Sequence, residues 1–161
     1  MAPEIVEDPE LGVMHWDNDQ YANVWILKRH TLFNGVELQI EIKPEYDTRT
    51  ISPLQMAAAK IALSFPTDSL SKSAPAVLQN CEACGTDLLD DHKALDIQNP
   101  IDVWRYVSLE KIVVPPHESS GVIIPSFMVY GECLWEPEHG LEIRFRNGYA
   151  DESDQQGHIQ I

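Results

Sequence analysis

Glu132, Glu136, Glu138 and His139 set three carboxylates and an imidazole within eight residues of the C-terminal third. Oxygen and imidazole donors of this kind suit a divalent metal. The same set would run general acid–base chemistry if one carboxyl sat in an apolar pocket beside Trp135 and its pKa rose. Strand alternation works against convergence, because Glu132 faces away from Cys133. The stretch Trp135-Glu136-Pro137-Glu138-His139-Gly140 also reads without any ligand, as a β-hairpin connection. Pro137 then fixes one φ, Gly140 takes a positive φ, and His139 bonds a backbone carbonyl.

A second candidate is Cys81-Glu82-Ala83-Cys84-Gly85, which reads as one knuckle of a structural zinc site. A tetrahedral centre needs two more ligands, and Cys133, His92 and His117 are the available ones. The redox reading of two spaced cysteines lacks its strand-then-helix context. Against both, Val77, Cys81, Cys84, Leu88 and His92 recur at helical spacing, so the thiols also read as small buried hydrophobes. Asp17-Asn18-Asp19 opens like a calcium loop but lacks the glycine and distant glutamate in frame, and reads as a turn. Ser119-Ser120-Gly121 is not a nucleophile elbow, and no phosphate-cradling or dinucleotide loop occurs.

The elements that position these residues follow from periodicity. Leu11 to Trp16 and Tyr21 to Leu32 read as extended segments, and Asn34-Gly35 is a hairpin signal before Leu38, Ile40 and Ile42. Ser52-Pro53 starts a helix with Leu54, Ala58, Ile61 and Phe65 inward, ended by Pro66. Thr67 to Ser73 reads as a loop, Ala74-Pro75 as the start of a second helix, and Asn99-Pro100 as the start of a short third holding Ile101 and Trp104. Leu109 to Val114, Ile123 to Trp135 and Leu141 to Phe145 return to strand patterns, with Asn147-Gly148 as a turn. Asp151 to Gln156 reads as an acidic loop before a final strand from His158 to Ile161. Residues 1–10 are expected to form a flexible acidic tail, and 11–161 a single α+β domain. Its mostly antiparallel sheet is built from N- and C-terminal strands, covered on one face by two or three central helices.

The 161 residues carry 11 Lys and Arg against 26 Asp and Glu, a formal net charge of −15. Such a surface repels phosphate backbones and anionic lipid, so nucleic acid and membrane are poor partners. A basic protein partner or a divalent cation fits better. The odd count of three cysteines argues against a disulfide framework. The N-terminus lacks the pattern of a secretory signal, and a cytoplasmic location is expected.

From Glu132 to Gly148, Glu-Cys-Leu-Trp-Glu-Pro-Glu-His-Gly leads into Leu141 to Phe145 and then Asn147-Gly148. This resembles the C-terminal signature of a family of uncharacterised bacterial proteins: Trp, Asp or Glu, Pro, Glu-His-Gly, then a strand and a tight turn. The layout is similar too, with an early strand pair, a helix start at Ile51-Ser52 and a short helix like Pro100 to Trp104. The likeness spans about residues 10 to 160, and Cys81 to Cys84 depart from it. Some members resemble the small acidic proteins found near bacterial toxin genes. The resemblance therefore implies a non-catalytic, protein-binding role such as an immunity-type inhibitor. The alternative is a metal-binding protein or metal-dependent hydrolase, using Glu138 and His139 or a structural zinc at Cys81 and Cys84.

Overall fold

The computed structural model describes residues 4–19, 22–45, 49–84 and 95–159. Nine strands form one sheet: β1 (Ile5–Asp8), β2 (Gly12–Asp19), β3 (Ala22–Leu27), β4 (Thr31–Phe33), β5 (Val36–Ile42), β6 (Val107–Val114), β7 (Ser126–Cys133), β8 (Leu141–Arg146) and β9 (Tyr149–Asp154). The order is β1-β2-β3-β5-β6-β7-β8-β9, with β4 paired to β5. Among the described residues only β5–β6 is parallel, and there the long crossover carries α1 (Pro53–Leu63), α2 (Ser69–Cys84) and a 3-10 helix (Pro100–Tyr106). A mostly antiparallel sheet from the N- and C-terminal thirds, with the helices between them in sequence, is the expected α+β arrangement.

Local chemistry explains most boundaries. Asn34 and Gly35 have φ of 53° and 73°, and Asn147 and Gly148 have 52° and 90°. Two consecutive positive φ values match the twist of a tight hairpin, and Asn-Gly reaches them most cheaply. Ser52 and Gln55 form a capping box at the start of α1. Gln55 is fully buried, and its side-chain amide donates to the carbonyls of Lys43 and Pro115. That pins the helix to the ends of both parallel strands. The inward stripe of α1 is Gln55, Ala58, Ala59 and Ala62, while the expected Leu54 and Ile61 are only half-buried.

One core joins Ala58, Ala62, Ala74 and Val77 of the helices to Leu38, Ile40, Ile42, Ile112, Val114, Phe127, Val129, Ile143 and Phe145 of the strands. Phe127 and Phe145 stack at 5.2 Å between ring centroids.

Elsewhere tertiary context overrides the local reading. Asp17-Asn18-Asp19 is strand, paired with Val24, Asn23 and Ala22, because the Trp16–Trp25 pair carries the ladder onward at 5.2 Å. Residues 5–8, expected as part of a tail, pair with β2. Helix α2 starts at Ser69, takes in the expected loop from Ser69 to Ser73 and keeps Pro75 inside it. Its early inward face is serine, invisible to a hydrophobic count. Ser69 Oγ donates to the Gly148 carbonyl at 2.6 Å, and Ser73 Oγ accepts from Ala150 N–H at 2.9 Å. Ile101, expected inward, faces solvent at 47% exposed, and the strand expected from Ile123 begins at Ser126, leaving Ile123 84% exposed. Asp151 to Asp154 belong to β9 and not to a loop, because Arg144 and Arg146 hold Asp151 beside the strand. His158 and Ile159 lie outside any strand, and 160–161 lie outside the described residues.

Candidate functional site

The connection from β7 to β8 gathers the residues the sequence singled out, but it does not converge their carboxylates. Trp135 is fully buried and its Nε1–H donates to Asn80 Oδ1 of α2 at 2.8 Å. Glu136 Oε1 accepts from His139 N–H at 3.3 Å and meets His139 Nδ1 at 3.0 Å. The hydrogen bond from the His139 side chain holds the Glu136 carboxyl below its ordinary value. Glu132, Pro137 and Glu138 are exposed. His139 reaches a side-chain carboxylate where a backbone carbonyl was expected. Gly140 has φ of 71°, and a Cβ there would sit 2.7 Å from the Gln156 side-chain amide. Gln156 in turn donates to the carbonyls of His139, from its backbone, and Gly131, from its side chain. The loop therefore locks α2 and the C-terminal segment onto the β7–β8 hairpin.

Cys81 is buried, Cys84 half-buried at the end of α2, and Cys133 buried at the end of β7. Burial raises all three thiols, and Cys133 reaches about 12. Glu136 and Asp154 add negative potential at Cys84. Each effect disfavours the thiolate that a nucleophile requires. Among the described residues no group of three or more His, Cys, Asp or Glu side chains is placed to hold a metal ion. His92, Gly85 and Leu88 lie outside the described residues. His117, the remaining candidate ligand, is fully buried in the β6–β7 connection with both ring nitrogens in hydrogen bonds.

Sequence reasoning missed the side of the sheet opposite the core residues. Register aligns Gln39, Lys111, Tyr130, Glu142 and Asp154 in one row across β5 to β9, beside a second row of Glu41, Val113, Met128, Arg144 and Glu152. Their alternation with Ile40, Ile112, Val129 and Ile143 places them on the other side of the pleat. Glu142 is only 3% exposed, and its Oε2 accepts from the N–H of Gly157 and Ile159 at 3.2 and 3.1 Å. Burial, then the Glu142 carboxylate, pushes the Tyr130 phenol far above its ordinary value. Every base on these rows meets acid. Lys111 pairs with Glu41 at 3.5 Å, and Arg144 forks onto Asp151 while reaching Glu152. The signal was present in Glu37-Leu38-Gln39-Ile40-Glu41 and Glu142-Ile143-Arg144, which alternate charge with core residues.

Residues 11–159 match a family model described as a domain of unknown function, DUF6985, and the chain belongs to that family. No curated protein and no solved structure matches it.

Proposed function

We propose that this member of the family is a non-catalytic protein-binding module of the bacterial cytoplasm that recognises a basic partner, in the manner of an immunity-type inhibitor. In this reading the helices cover one face of the sheet, and the exposed acids of the other face, Glu37, Glu132 and Glu152, meet the partner. The Trp135–Gly140 stretch is then the family's structural signature, bracing that face. The observation that carries the proposal is the pairing of every base on those rows with acid, while Glu37, Glu132 and Asp154 add charge that no base there offsets. A net charge of −15 extends the same field over the molecule. Such a field steers association with a basic surface and weakens as salt rises.

The test uses the protein and a double variant, Glu37→Lys with Glu132→Lys, both at exposed strand positions. Each is immobilised and exposed to a lysate of the host at low salt, and captured proteins are identified and purified. The expected result is one basic protein that binds the native chain, elutes with salt, and binds the double variant at least tenfold more weakly. Capture of nothing, or capture indifferent to the double variant and to salt, would sink the proposal.

A further inference from the structure

The connection between β6 and β7 is tied down by one imidazole. His117 is fully buried. Its Nδ1 lies 2.8 Å from the Pro115 carbonyl, and its Nε2 accepts from the Ser126 N–H at 3.0 Å. A carbonyl only accepts, so Nδ1 carries the proton and the ring is the neutral tautomer. The loop between these anchors is ordered by its own bonds: Ser120 and Val122 donate to the His117 carbonyl, and Gly121 to that of Glu118. Glu45, just after β5, accepts from the N–H of His117 and Glu118 at 2.8 and 3.1 Å. The loop holds Ile123 out into solvent.

We propose that His117 is a proton-sensitive latch on residues 115–126. While neutral, the ring ties Pro115 to Ser126. Once protonated, Nε2 carries hydrogen and faces the Ser126 N–H as donor against donor, so that end of the loop opens without unfolding the sheet. Among the charged groups around it, Glu45 favours the protonated ring, Glu118 follows it in the loop exposed to solvent, and Arg146 at the end of β8 lines the small cleft with residues 120–124. Burial is the largest influence on the ring and keeps it neutral to lower pH than an ordinary histidine. The open loop takes up the proton more readily, so falling pH favours opening below the ordinary histidine value of 6.5.

The experiment is nuclear magnetic resonance on the native chain from pH 7.5 downward. It follows the His117 ring carbon and the exchange protection factors of the Ser126, Val129 and Ile143 amides. The expected result is a ring titration below 6.5, with Ser126 protection falling about tenfold per pH unit through that window, while Val129 and Ile143 keep theirs. The variant His117→Gln retains an acceptor that gains no proton at these pH values, and its Ser126 protection should stay flat. Ser126 protection that ignores pH, that falls in step with Val129 and Ile143, or that keeps its pH dependence in the variant overturns the latch. Should His117→Gln fail to fold, the native measurement alone decides.

Discussion

The two connections flanking β7 share a vocabulary and differ in what they do with it. Both contain proline, glycine, glutamate and one histidine. In the β7–β8 connection His139 is exposed and meets a glutamate three residues away. In the β6–β7 connection His117 is fully buried, and the carboxylate fastening its backbone, Glu45, comes from 72 residues earlier. Local density of polar residues therefore marks a turn whose ion pair is local, while its long-range ties run through Trp135 and the His139 carbonyl. A titratable group shifted chiefly by burial arises where the partner is distant and water is excluded.

The largest effect that tests this contrast is not at a histidine. Trp135→Ala removes a fully buried indole and leaves Asn80 Oδ1 of α2 without that donor. Unfolding in urea should show a loss of about 3–5 kcal/mol. A loss under about 1 kcal/mol would mean that the β7–β8 connection is not anchored through its tryptophan, and the account of the signature as a brace would fall.

His117→Ala should come next, at about 2–3 kcal/mol, since it strands the Ser126 N–H in a buried site. Its pH dependence has a definite sign. The folded pKa lies below 6.5, so the unfolded chain binds the extra proton first. The native chain keeps its full stability above 6.5 and loses part of it as pH falls from there to the folded value. Melting curves at pH 7.5 and 5.5 should differ for the native chain, and by less for the variant. Equal differences would put the titrating group elsewhere.

Much of this architecture was legible in the chain. Asn34-Gly35, Ser52-Pro53 and Asn147-Gly148 name their own turns and caps, because each needs only its neighbours to act. What failed to show depends on distant contacts. Ser69 and Ser73 are buried because they bond the turn and backbone of β9, some 77 to 79 residues on. The charged rows exist only once five strands are in register. At the candidate site, Trp135 to Gly140 was found at once, as a turn and as possible ligands. His117 was weighed only as a zinc ligand, since nothing in Pro115-Pro116-His117 reveals that Ser126 closes over its ring.

Gly140→Ala is a smaller perturbation in the same brace. At φ of 71° an L side chain is strained by about 1–2 kcal/mol. The new Cβ would also press on the Gln156 amide, the far end of a flexible side chain, and come within 3.1 Å of the Gly131 carbonyl that this amide bonds. The expected loss is thus mostly backbone strain, and a further Gln156→Ala change should add little to it. A strongly additive double variant, read from urea midpoints, would show that the Gln156 side-chain bond to the Gly131 carbonyl carries more of the C-terminal docking than the glycine does.

The smallest effect sharpens the contrast most. His139→Ala touches a side chain more than half exposed, hydrogen-bonded only to a neighbour on its own turn, and exposed pairs of this kind contribute little. At pH 7.5 its melting curve should superimpose on that of the native chain. The variant does remove the hydrogen bond that holds Glu136 below its ordinary value of 4.5. A carboxyl lowered in the folded state stabilises above its unfolded pKa, and that contribution is lost as pH falls through the folded one. The two curves should therefore separate in acid, with the native chain declining more steeply below about 4.5. Separation already at pH 7.5 would mean that this exposed pair contributes more than a local turn contact should, and the division of labour between the two connections would collapse.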